Sequence, residues 1–208
     1  MPLRTFPLGP LETNCYLLWD DNDAVVIDAG GDPTPVINEL RAHELTLSTV
    51  LLTHLHCDHL YGVAELVRIF GAKVLAGVED AMLLDTEIGR GGFMGLPPVP
   101  AFNWEPIAPG EIPLLGQKCR VFATPGHSPG GRSFYFPQTQ AVFVGDLLFY
   151  RSVGRTDLPG GELHDLLDSV AEQILPLPPE TAVYPGHGPA TTVGAEKAHN
   201  PYLAEYLR

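Results

Sequence analysis

The 208-residue chain carries 12 Lys and Arg against 25 Asp and Glu, a formal charge of −13, with 45% hydrophobic and 18% charged residues. That length fits one domain, expected to span residues 1–208, and the apolar content can fill a core, which disordered compositions cannot do. The acidic balance works against nucleic acid and anionic lipid, since no visible basic patch offsets it.

Strands are predicted over residues 15–19 and 24–28, where short apolar runs end at polar or turn residues. A helix over 33–43 precedes a strand over 49–53, and a second helix over 60–70 precedes a strand over 73–76. Residues 86–103, TEIGRGGFMGLPPVPAFN, are too rich in Gly and Pro for regular structure. A segment of that length is either a functional flap or an inert surface excursion. Strands follow over 120–124, 133–136 and 141–145. A helix over 162–175 places Leu163, Leu166, Leu167, Val170 and Ile174 on one face and stops at Pro176. A strand over 181–184 and a closing helix over 195–207, started or kinked by Pro201, complete the pattern. Strands and helices interleave, so the class is α/β or α+β, a sheet core covered by helices. No apolar stretch approaches the roughly 20 residues of a membrane span, and no signal-like segment opens the chain. Cys15, Cys57 and Cys119 are odd in number and far apart, as reduced thiols are. The expected location is cytoplasmic.

Four apolar runs end in residues able to bind metal: VLLTHLHCDH, VFATPGH, AVFVGD and AVYPGH. Strand ends can converge on one sheet edge, where α/β proteins commonly build sites. The candidates are His54, His56, Asp58, His59, His127, Asp146 and His187, and they include five of the eight histidines. A lone His is usually an ordinary core or surface residue, but this clustering is not what scattered histidines would produce. Seven N/O donors are too many for one tetrahedral zinc, and thiolates for a Cys-type site are lacking. Two adjacent divalent ions sharing a bridging carboxylate account for the count. His54 and His56 alternate, so an extended segment aims both rings to one side. Asp58 and His59 follow where the chain turns into a helix and can face the second ion.

THLHCDH resembles the H-x-H-x-D-H signature of the metallo-β-lactamase superfamily, and TPGHSPG, VGDLLF and YPGHG resemble its later ligand motifs in order. The resemblance runs from TNCYLL near the start to HNPYL near the end. Within the superfamily the chain looks most like the glyoxalase II (hydroxyacylglutathione hydrolase) branch, in a compact form. That resemblance implies a four-layer αββα sandwich and two divalent metal ions, zinc or iron, with manganese also able to bind such donors. It implies one ion held by His54, His56, His127 and Asp146 and the other by Asp58, His59, His187 and Asp146. Asp146 is then the bridge, and Asp58 and Asp146 are the catalytic carboxylates. The implied reaction is hydrolysis of a small anionic acyl-thiol, S-lactoylglutathione above others, by attack of a metal-held hydroxide on the acyl carbon. Asp in GDLLF, where zinc β-lactamases commonly carry Cys, argues against β-lactam hydrolysis.

Arg155 of the GRTD segment is a candidate clamp for a substrate carboxylate, since a basic residue near this position contacts glutathione in the family. The alternative is a structural pair with Asp157. Arg151 is a second such candidate. Thr53 is expected to orient a ligand ring, and Cys57 to pack between ligands without binding metal. Cys15 and Cys119 are expected in the core. Glyoxalase II enzymes carry much of the glutathione site on a large helical C-terminal domain, which this sequence does not supply after HNPYL. Two rivals remain: a persulfide dioxygenase with one iron, which shares the fold and a GRTD-like segment, and a non-catalytic metal-binding protein.

Overall fold

Two six-stranded sheets face each other in the computed structural model, which describes residues 1–206. The first sheet comprises β1 (Leu3–Leu8), β2 (Thr13–Asp20), β3 (Asp23–Ile27), β4 (Thr46–Leu51), β5 (Lys73–Ala76) and β6 (Glu105–Pro106), in that spatial order. β1 to β3 are antiparallel neighbours, and β3 to β6 run parallel. The second sheet is built from β7 (Gly110–Leu114), β8 (Gln117–Ala123), β9 (Arg132–Phe136) and β10 (Ala141–Gly145), extended beyond β10 by two later strands. A hairpin of β11 (Leu148–Phe149) and β12 (Ser152–Val153) leads on to those two, β13 (Ala182–Pro185) parallel to β10 and β14 (Thr191–Thr192) at the edge.

Period-2 alternation sorts the side chains into three apolar layers. On β2, Tyr16 and Leu18 face the second sheet and join Val25, Ile27 and Leu51 against Val121, Phe134, Phe136 and Phe143. Cys15 and Leu17, one residue out of step, face outward with Ala24 and Val26 against a helical layer. That layer is α1 (Thr34–Ala42), which buries Val36, Ile37 and Leu40, and α2 (Val63–Phe70), which buries Val63 and Leu66. Each such side chain contributes about 1.5–3 kcal/mol on leaving water. A short α3 (Glu87–Arg90) follows in the chain, within the Gly- and Pro-rich segment 86–103. The outer face of the second sheet, with Val142, Val144 and Val183, is covered by Leu166, Val170, Ile174, Val193 and Leu203. These come from α4 (Leu163–Ser169) and its continuation through Val170–Ile174, from α5 (Val193–His199), and from α6 (Pro201–Tyr206). The order is helices, sheet, sheet, helices, the expected αββα sandwich.

The predicted strands all appear, shifted by up to three residues. The predicted helices over 33–43, 60–70 and 162–175 also appear, the last as α4 with a wider π-helical end at Val170–Ile174. The closing helix over 195–207 is two helices, because Asn200 is extended (φ −75°, ψ 119°) before Pro201 starts the second. Leu207 lies outside the described residues. Residues 86–103 are irregular except for the single turn of α3 and a bridge between Gly91 and Pro98. β1 and β7 escape the sequence reading, both edge strands whose exposed positions break the apolar run, as do the two-residue strands β6, β11, β12 and β14, too short to leave a pattern. Cys15, Cys57 and Cys119 are all buried. No helix among the described residues is long and apolar enough to cross a membrane.

Candidate metal centre

All seven candidate ligands meet where the two sheets join. The 52–62 segment after β4 carries His54, His56, Asp58 and His59, the last two on the 3-10 turn Cys57–His59. The β8–β9 loop brings His127, the residue after β10 is Asp146, and the turn after β13 carries His187. Donor atoms of His54, His56 and His127 lie within 4.8 Å of one another, as do those of His54, His59 and Asp146, and those of Asp58, His59 and His187. Asp146 lies between the outer groups. Its carboxylate is 3.7 Å from His127 Nε2, 3.5 Å from His59 Nε2 and 3.5 Å from His187 Nε2. His187 Nε2 is also 3.2 Å from Asp58 Oδ2.

The donor atoms themselves suit a cation. His54 Nε2, His59 Nε2 and Asp146 Oδ1 are buried with no hydrogen-bond partner, which in a folded interior costs about 1–3 kcal/mol each unless something binds there. His56 Nδ1 and His127 Nε2 face each other at 2.9 Å. Neutral imidazoles and carboxylates are the donor set that divalent zinc, iron and manganese accept.

Four of the five rings are held from behind, which fixes the nitrogen they present. His59 Nδ1–H donates to Asp28 Oδ2 at 2.8 Å. His54 Nδ1–H donates to Thr53 Oγ1 at 3.0 Å, and that hydroxyl donates to the same Asp28 oxygen at 2.7 Å. His127 Nδ1–H donates to the Arg155 carbonyl at 2.7 Å, and His187 Nδ1–H to the Leu11 carbonyl at 3.0 Å. Thr53 thus does what the sequence reading assigned it. Asp28 was not singled out, although it ends the apolar run AVVID as Asp146 ends AVFVGD. It sits at φ +55°, a region that few side chains other than Asn and Asp enter, and it also accepts the Thr53 amide.

Two glycines let the chain pass close to the ligands. A Cβ on Gly186 would overlap Asp146 Oδ1 and His59 Cε1, and one on Gly154 would overlap the Asp146 carbonyl. Gly186 and Gly154 are therefore fixed by their contact with Asp146.

Electrostatics separates the rings. Burial, with neighbouring rings, holds His54 well below its ordinary value and lowers His56 to about 3, so both stay neutral donors. Burial opposes charge on His59 and His187 too. There the carboxylates outweigh it and raise both, with Asp28, Asp58 and Asp146 around His59, and Asp58 and Asp146 around His187. Burial would raise both carboxyls, but the facing His59, His127 and His187 rings pull Asp146 well below the carboxylate range, and His59 and His187 lower Asp58.

The two candidate substrate contacts are engaged elsewhere. Arg155 Nε and Nη2 grip Asp157 at 2.6 and 2.7 Å on the surface, the structural pairing that the sequence left open. The Arg155 side that faces the metal site is its backbone carbonyl. Arg151 Nη1 binds the fully buried Glu196 at 2.6 Å and the Ala195 carbonyl at 2.9 Å. A substrate carboxylate would have to displace Glu196, so Arg151 is a tether between the β11–β12 turn and α5.

Residues 8–187 match the Metallo-beta-lactamase superfamily. The chain is 34% identical to the hydroxyacylglutathione hydrolase GloC of Haemophilus influenzae over 208 residues, covering 98% of each. Among solved structures it is similar to the BLEG-1 B3 metallo-beta-lactamase, with TM-score 0.90 and 39% identity over 97% of this chain and 99% of that one. It is likewise similar to TTHA1623 in a di-iron-bound form, with TM-score 0.87 and 39% identity over 96% and 100%. Motif order, layer order and donor set agree with these likenesses: the chain is a metal-binding enzyme fold of the metallo-β-lactamase superfamily.

Proposed function

We propose that this chain is a binuclear metallohydrolase that cleaves small acyl-thiols, with S-lactoylglutathione the leading substrate. The observation that carries the reading is Asp146, whose carboxylate lies between two sets of histidine donors. The likeness to GloC over nearly the whole chain supports the substrate class. His54, His56, His127 and Asp146 would hold one ion, and Asp58, His59, His187 and Asp146 the other. Divalent ions in such a pair polarise a carbonyl and acidify water toward neutral pH.

The chain's own residues prepare that chemistry. His54 and His56 are neutral through burial. Asp28, Thr53, Arg155 and Leu11 fix the presented nitrogen of four rings. The depressed carboxyls of Asp58 and Asp146 stay ionised throughout the physiological range. Two divalent charges against two carboxylates leave the cleft positive, which draws an anionic substrate to an acidic protein.

Metal analysis of protein purified without added metal, followed by thiol-release assays on S-lactoylglutathione, tests the reading. Two ions per chain and metal-dependent thiol release are expected. One iron per chain with oxygen consumption on glutathione persulfide would replace it with the dioxygenase. Bound metal without turnover on any ester would leave a binding protein. The likeness to BLEG-1 favours a second reading, β-lactam hydrolysis by the same carbonyl chemistry; faster turnover of a β-lactam than of the thioester would establish it.

A further inference from the structure

We infer that Asp80 is the positioning residue for the His54, His56 and His127 half of the metal centre, its carboxylate joining the two loops that carry those ligands. The inference rests on the metal-binding reading above.

Asp80 lies on the turn Val78–Asp85 after β5, outside every ligand motif, and is fully buried. Its Oδ2 accepts the Leu55 amide at 3.0 Å and the Ser128 hydroxyl at 2.8 Å, and its Oδ1 accepts the Gly130 amide. Leu55 stands between His54 and His56, and Ser128 follows His127. One carboxylate therefore spans the two segments whose rings must converge. Gly130 is where it comes closest: a Cβ there would lie 2.6 Å from Asp80 Cγ. The neighbouring Glu79 grips Arg132 at 2.6 Å, and Arg132 donates to the Gly130 and Gly131 carbonyls, bracing the same loop.

His56 makes the dependence specific. The other four rings have a nitrogen bonded to Asp28, Thr53, Arg155 or Leu11, whereas His56 Nε2 is buried without a partner. Among the described residues, no side chain or carbonyl aims this ring from behind. Its placement opposite His127, 2.9 Å away, comes from the backbone, which the Leu55 amide fixes to Asp80. Among the described residues, Asp58, His59 and His187 make no hydrogen bond to Leu55, Ser128 or Gly130, and His59 and His187 keep their own anchors at Asp28 and the Leu11 carbonyl.

The experiment is stepwise zinc titration of metal-stripped wild type, Asp80→Asn and Asp80→Ala by calorimetry, with metal content after dialysis. Asn keeps the shape but turns an NH₂ toward one of the three donors. The wild type is expected to take two ions and D80N one tightly, the other weakened about 10- to 100-fold, as is usual when a ligand's support is lost. In the D80N background, His127→Ala should keep the remaining ion and His187→Ala should lose it. Ile174→Ala, a cavity under the helices on the outer face of the second sheet, controls for general destabilisation and should leave both affinities in place. Ser128→Ala removes one of the three bonds and should give the same selective weakening, smaller, if the Asp80 variants do not fold. Equal loss at both sites, or no loss, overturns the assignment. Failure of the wild type to bind any ion overturns the metal reading itself, and the assignment with it.

Discussion

Glu196 is the most heavily bonded carboxylate on the second half of the chain, and Glu196→Gln tests what it holds. Oε1 accepts from Arg151 Nη1 and Thr191 Oγ1, both at 2.6 Å, and Oε2 from the Arg151 amide and Asn200 Nδ2, both at 2.9 Å. Asn200 Nδ2 also donates to the Ser152 carbonyl at 3.0 Å. Glutamine has the same shape but one acceptor oxygen, so two of the four donors would face an NH₂. Hydrogen bonds to charged groups contribute about 1.5–3 kcal/mol each. Two lost bonds would cost about 3–6 kcal/mol, and the lower end applies because the Arg151 side chain is 30% exposed and can turn to water. At about 2–4 °C per kcal/mol for a chain of this size, Tm should fall by about 6–12 °C. Differential scanning calorimetry of E196Q, Arg151→Ala and the double variant checks this, with the double variant costing less than the sum of the singles. A shift below about 2 °C, or strict additivity, would show that the β11–β12 turn does not depend on this contact.

Gly186→Ala should abolish uptake of both ions while leaving far-ultraviolet circular dichroism intact, because its Cβ overlaps Asp146 and His59; normal metal content would refute the close approach. Thr53→Val removes the hydroxyl between His54 and Asp28 and should weaken metal binding about 10- to 100-fold, measured by competition with a chelating dye. Because carboxylates raise His59 and His187, those rings keep their protons to higher pH than a free imidazole, and loading should release protons, more strongly as pH falls. Calorimetry in two buffers of different ionisation enthalpy reads this, and zero proton release would contradict it. The same sign applies to the metal-free fold. The stabilisation from these two rings is complete below the unfolded value of about 6.5 and is lost as pH rises through their raised values. Asp157→Ala should free Arg155 from its surface pair yet leave KM for an anionic thioester unchanged, because the Arg155 carbonyl and not its side chain faces the site; a lowered KM would put the side chain in the substrate's path.

The interior strands were legible because their apolar runs are short and bounded by polar or turn residues, whereas β1 and β7 each hold a Pro, Pro7 and Pro113, and sit at sheet edges with one side to water. The seven ligand candidates were legible because each stands at the end of an apolar run, where a His or Asp has no reason to be unless the strand end is a site. Their supports were harder to see. Asp28 ends such a run but carries no histidine beside it. Asp80 sits in VEDAMLLD and Glu196 in AEKAH, where a carboxylate beside other charges reads as solvent-facing. Asp80's partners lie 25 to 50 residues away in sequence, and Glu196 meets Arg151 at a separation of 45. Burial of those acids is decided by docking between elements, which local pattern does not encode. The two arginines show the converse: position beside the site was legible, but the acids that engage them were not.

Each donor group draws on both sheets. His54 and His56 meet His127 across the seam, and Asp58 and His59 meet His187. Beside them the Asn14 amide of β2 donates to the Gly186 carbonyl at 2.7 Å, and the Tyr16 hydroxyl to the Pro185 carbonyl at 2.6 Å. Ions held this way would act as cross-links between halves of the chain that are more than 70 residues apart. Their binding free energy then opposes separation of the sheets, by about 2.7 kcal/mol per site at a free concentration one hundred times Kd. Amide exchange at Asn14 should accordingly slow as metal is added, so the seam that houses the chemistry would also be the part of the molecule slowest to open.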